Sequence, residues 1–111
     1  MTKTSIKTLA KRVLSLRNMI DYQEDAIVSK TLVDRKTGTV TLFAFDKGQG
    51  LSEHTVPYDV LIQILEGRAR ITIESKVLEL KEGEAIIMPA NSPHTVEAIE
   101  KFKMLLVLIK A

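Results

Sequence analysis

An all-β domain, a sandwich or closed barrel preceded by one amphipathic helix, is what the sequence predicts, and three observations predict it. From Ala26 onward apolar residues fall in short runs that alternate or fill both sides of a strand, with none of the spacing of a helix. Turn-forming residues interrupt those runs at short, regular intervals. The chain has 111 residues, enough for one core and too few for a second.

The first twenty residues differ from the rest. Thr4 or Ser5 can cap a helix, and Ile6, Leu9, Ala10, Val13, Leu16 and Ile20 follow at three- and four-residue steps along one face. Lys3, Lys7 and Lys11 run along another face, read as a solvated row, with contact to phosphate or anionic lipid as the alternative. Residues 1–20 are therefore expected to form a helix in the same domain as residues 21–111, packed on the barrel or on a partner subunit.

The segments AIVSKTLV and TVTLFAF, joined by DRKTG, predict a hairpin, because β-branched and aromatic residues fill both arms. Further short strands are expected near 51–56, 58–65, 68–74, 76–80, 84–88, 94–99 and 102–109. Turn signals at VPYD, EG, SK, KEGE, PANSP and EK separate them. In the run at 68–74, Ala69, Ile71 and Ile73 fall on one side for the core, and Arg68, Arg70 and Thr72 fall on the other for water. The final run, MLLVLI, is apolar on both faces. Such a strand is covered by the body on one side and by a helix or a second subunit on the other, so a homodimer is expected.

Composition narrows the function classes. With no cysteine, thiolate catalysis, zinc ribbons and disulfides are excluded, and the cytoplasm is the expected compartment. The longest apolar run, Met104 to Ile109, is far short of the roughly 20 residues of a membrane-spanning helix. Net charge is +2, yet the first twenty residues carry five cations and no acid, leaving 11 basic against 14 acidic residues elsewhere. A net-negative body with few aromatics is not the surface that nucleic acid requires.

The only two histidines occupy equivalent places. His54 follows the glycine turn at Gly48, and His94 follows the one at Gly83 and a proline-bounded loop. Counting by twos, His54 shares a side with Val56, Val60 and Ile62, provided the Pro57 turn keeps parity, and His94 shares one with Val96. With Ile71 these residues are expected to line an apolar cavity in which the imidazoles meet. Gln63, at odd spacing, belongs on the opposite face unless a bulge intervenes, which leaves it the weaker candidate as a metal ligand. Glu53, Asp59, Ser52 and Ser92 are read as loop residues. Tyr58 is either a lid or a packing aromatic.

These residues resemble the two motifs of small single-domain cupins, a family of jelly-roll β-barrels. The first motif runs Gly, five residues, His-x-His, three or four residues, Glu, six residues, Gly. Gly48, His54 and Gly67 stand at its positions. The second runs Gly, five residues, Pro-x-Gly, two residues, His, three residues, Asn, and Gly83, Pro89 and His94 stand there. The resemblance extends over residues 21–110 and implies a cupin barrel. In metal-binding members three histidines and a carboxylate hold divalent iron, manganese, nickel or zinc. Here Val56 replaces the second histidine and Val60 the glutamate, while Asn91 replaces a glycine and Ala98 the asparagine. What remains implies at most weak binding of zinc, nickel, copper, manganese or iron at His54 and His94.

Three readings follow. The first is a barrel that binds a small molecule with His54 and His94 as polar anchors. The second is a metal-dependent cupin enzyme, an isomerase, lyase or dioxygenase, with an incomplete ligand shell. The third is an interaction module in which the basic helix docks on an acidic partner and the pocket is vestigial.

Overall fold

A computed structural model describes residues 6–110. After a single helical turn, α1 (Ile6–Leu9), and a 3-10 turn (Leu16–Asn18) come seven strands: β1 (Ile27–Arg35), β2 (Gly38–Phe45), β3 (Gly50–His54), β4 (Asp59–Ile73), β5 (Lys76–Lys81), β6 (Ala85–Met88) and β7 (His94–Ile109). All pairings are antiparallel.

Two long strands organise the rest. The C-terminal half of β7 lies between β2 and the N-terminal half of β4, which also pairs with β6. The N-terminal half of β7 lies between β3 and the C-terminal half of β4, which also pairs with β5. The result is a five-stranded sheet (β1-β2-β7-β4-β6) and a four-stranded sheet (β3-β7-β4-β5) that share β4 and β7. Between them sits one apolar cluster, to which Phe45, Ile62 and Met104 come from the first sheet and Ile71, Leu80 and Val96 from the second. Phe45 and Phe102 stack within it, with centroids 4.6 Å apart and planes 12° from parallel.

The EG and EK signals, expected to be turns, are the places where β4 and β7 bend without ending. Register shifts flank Glu66 and Gly67, the mark of β-bulges. Gly67 has φ +82°, and a Cβ there would lie 2.1 Å from the Lys101 carbonyl oxygen and 2.8 Å from Phe102 Cα. Only glycine fits this crossing of two backbones. The hairpin of β1 and β2 and the alternation in the run at 68–74 are as expected: Ala69 and Ile71 are fully buried and Arg68 is exposed.

The N-terminal helix is not as expected. Thr4 and Ser5 lie outside the described residues, and α1 ends after four residues, with Lys11 at φ 64° breaking the helical course. Val13, assigned to the apolar face, is fully exposed. The segment instead crosses the outer face of the five-stranded sheet as an irregular strap. Leu9, Leu16, Met19 and Ile20 on the strap pack there against Leu32, Leu42 and Leu105. A polar cluster that the sequence did not reveal fastens it. Lys103, buried, donates to the Arg17 carbonyl at 2.7 Å and lies 4.0 Å from Glu66. Arg17 Nε lies 3.5 Å from Glu66, and the Tyr22 hydroxyl donates to the same carboxylate at 2.5 Å. Among the described residues no helix is long and apolar enough to cross a membrane.

Burial, and then the neighbouring Glu66 carboxylate, raise the Tyr22 hydroxyl's pKa far above its ordinary value of about 10. A group that holds its proton more tightly when folded contributes stability that is complete below its unfolded pKa and declines as pH rises beyond it. Denaturant midpoints measured across the alkaline range should therefore fall from about pH 10 upward. Tyr22→Phe should be less stable than the parent at neutral pH and lack this part of the decline. An unchanged alkaline slope in the variant would contradict the assignment.

Candidate functional site

The two histidines meet at one end of the four-stranded sheet. His94 opens β7, with Val96 and Ala98 following it on the inward face, and its Cα is in register with Ile73 of β4 on one side and His54 of β3 on the other. The ring centroids are 4.2 Å apart at 63°, an edge-to-face contact.

A bulge makes that contact possible. Leu51 pairs with Val96 and His54 with His94, so three steps along β3 match two along β7. Strict alternation from Leu51, which packs in the core, would turn His54 outward. The extra residue restores it to the side of His94. Ser52 and Glu53 have no partner in this ladder, and the Ser52 carbonyl lies 2.7 Å from His54 Nδ1. The Ser92 carbonyl lies 2.9 Å from His94 Nδ1 in the same relation, two residues back along the chain.

Those contacts fix the chemistry of the rings. A carbonyl oxygen only accepts, so Nδ1 of each ring is the donor and carries hydrogen. In the neutral imidazole the lone pair then lies on Nε2, so both rings are acceptors at that atom. The loops on either side are tied together. Asn91 N–H donates to the Val56 carbonyl at 2.8 Å, and Ala90 N–H donates to Asp59 Oδ1 at 2.9 Å. Asn91 has φ 67°, so it adopts the left-handed geometry of the glycine it replaces.

The surroundings differ from the expected cavity. His94 is buried, but His54 is exposed, so the pair sits at the mouth of the barrel and not inside it. Val60, Ile62, Ile71 and Val96 are almost wholly buried in the close-packed core, and Val56 packs against it partly buried. Phe45 and Phe102 belong to the same buried cluster, while Phe43, Leu51, Val56, Ile73, Leu106 and Leu108 pack against it only partly buried. Clefts of about 220 to 420 Å³ open elsewhere on the surface, lined by other residues. Gln63 is half-buried on β4, between Ala85 and Leu105 and opposite in parity to the buried Ile62 and Ile64. It belongs to the outer face, away from the histidines, and is not a ligand beside them. Glu53 is exposed, Asp59 is engaged with Ala90, and Lys110 Nζ lies 6.0 Å from the Tyr58 ring centroid.

The donor set does not suit a tightly held metal. Two neutral imidazoles supply neither the charge nor the number of ligands that a divalent ion takes from a protein site. Val56 and Val60 offer no donor atom, and among the described residues no three His, Cys, Asp or Glu side chains group together.

Residues 41–110 match a family model described as the cupin domain. A conserved protein of unknown function from Streptococcus pyogenes is 40% identical, with a TM-score of 0.86 over 91% of this chain and 89% of that one. A cupin superfamily protein from Desulfitobacterium hafniense is 29% identical, with a TM-score of 0.86 over 91% of this chain and 93% of that one. A cupin 2 conserved barrel domain protein from Leptotrichia buccalis is 42% identical, with a TM-score of 0.79, and the match covers 82% of this chain but 44% of that one. No curated protein matches.

Proposed function

The chain belongs to the cupin family, and from that premise we propose that it is a small-molecule-binding cupin whose ligand is held at the barrel mouth by His54 and His94. The observation that carries this reading is the repeated clamp: each Nδ1–H is committed to a carbonyl two residues back, and two Nε2 acceptors are left on adjoining rings. A small organic molecule presenting N–H or O–H donors suits such a pair. Exposure of His54 gives access. The metal-dependent enzyme reading requires a carboxylate and a further imidazole where this chain has Val60 and Val56.

Thermal-shift screening of small metabolites on the native protein and on the His54→Ala, His94→Ala double variant tests the proposal. At least one donor-bearing compound should stabilise the former and not the latter. Equal responses of the two proteins across the set would reject it.

A further inference from the structure

The strap does not lie flush on the sheet. An apolar cleft of about 260 Å³ opens between them, walled by Ile6, Leu9 and Leu14 of the strap and by Leu32, Val40 and Leu105 of β1, β2 and β7. Every residue that lines it is apolar. Ile6 is 42% exposed and Leu14 36%, so part of the wall stands in water.

Leu9 and Leu14 also wall a second cleft, of about 420 Å³, in which Arg12 and Lys30 supply positive charge and which no Asp or Glu lines. Arg12 Nη1 donates to the Thr8 carbonyl at 3.3 Å, and Lys30 Nζ to the Met19 carbonyl at 3.4 Å. Each bond uses one of several N–H groups, and a carbonyl does not neutralise a charge, so both cations keep donors for an anion. Lys30 and Leu32 are two residues apart on β1, and both meet the strap, one at Met19 and the other in the apolar cluster with Leu9 and Leu16. A strand advances about 3.3 Å per residue, which brings cation and apolar wall within about 7 Å along β1.

We propose that strap and sheet together bind a small aliphatic carboxylate, its chain in the apolar cleft and its carboxylate toward Arg12 and Lys30. A wholly apolar wall takes a hydrocarbon chain and rejects a polar guest, whose hydrogen bonds would go unmade. Two cations in a cleft without an acid select an anionic head, and a guanidinium can hold a carboxylate through two parallel N–H groups. The apolar cleft is smaller than the roughly 300–1,000 Å³ of pockets that take drug-sized ligands, so the chain is short, of the length of octanoate. The site shares no residue with the histidine pair and is independent of the ligand reading there.

Titration calorimetry of the full chain with butanoate, hexanoate and octanoate tests it. Octanoate should bind saturably, one per chain, and affinity should rise about fourfold with each buried methylene along the series. Octylamine, of the same length and opposite charge, should not bind where octanoate saturates. Arg12→Gln and Lys30→Gln together should weaken octanoate about fivefold, while Lys47→Gln, at an exposed lysine on the loop between β2 and β3, should leave it unchanged. Leu14→Asp, which sets a carboxylate on the wall of both clefts at a partly exposed position, should fold as the parent does by circular dichroism and lose octanoate. No saturable octanoate binding, equal affinity for octylamine, an unweakened Arg12 and Lys30 double variant, or a folded Leu14→Asp that binds as the parent does would each overturn the proposal.

Discussion

Gly67→Ala should cost about 3 kcal/mol of stability or more, a large share of the roughly 5–15 kcal/mol that holds a domain of this size together. Two effects combine. A side chain at φ +82° costs about 1 kcal/mol relative to glycine. Its Cβ would also overlap the Lys101 carbonyl and Phe102 Cα, which are backbone and have no rotamer to escape into. Gly48 and Gly83, at φ +87° and +86°, have nothing within 4 Å of an added Cβ, so alanine there should cost only the first part, about 1 kcal/mol. By calorimetry Gly67→Ala should lower the melting temperature by roughly 15 °C and the other two by about 5 °C. Equal shifts for all three would mean that the close crossing of β4 and β7 is not what requires glycine.

The second large effect is expected on ligand binding. A hydrogen bond to a neutral acceptor contributes about 0.5–1.5 kcal/mol, and one from a charged donor about 1.5–3 kcal/mol. Losing both Nε2 acceptors should therefore weaken a ligand that uses them by about fivefold at least, and by about a hundredfold or more if its donors are charged, since about 1.4 kcal/mol is a factor of ten. His54→Ala isolates the exposed half of the pair. His94→Ala also leaves the Ser92 carbonyl without its ring donor in a buried place and should lower stability as well. Titration calorimetry with a compound found by screening measures each loss. An unchanged affinity in both single variants would place the ligand elsewhere.

Much of this was legible in the residues. The change of hydrophobic period at Ala26, the paired glycines and the two histidines pointed to the barrel, and the imidazoles do meet, though through an irregularity in β3 that spacing by twos does not give. Bulges hid the rest. At Gly67 a glycine after a glutamate reads as a turn, yet it serves to let two backbones cross, and the strands continue through it. Between Leu51 and His54 one extra residue reverses parity, and no residue type in that stretch announces it. Gln63 was assigned to the outer face correctly, since β4 is regular from Val60 to Ile64. The strap was misread because its apolar spacing fits a helix, while its actual anchor is Lys103, a cation placed just before the apolar run of β7. A lysine followed directly by MLLVLI was the available signal.

Long-range proton–nitrogen NMR of histidine-labelled protein, at a pH where the rings are neutral, reads the ring nitrogens themselves. Both His54 and His94 should carry hydrogen on Nδ1 and resonate as unprotonated at Nε2. Hydrogen on Nε2 of either ring would contradict the paired-acceptor site from which the proposed function is built.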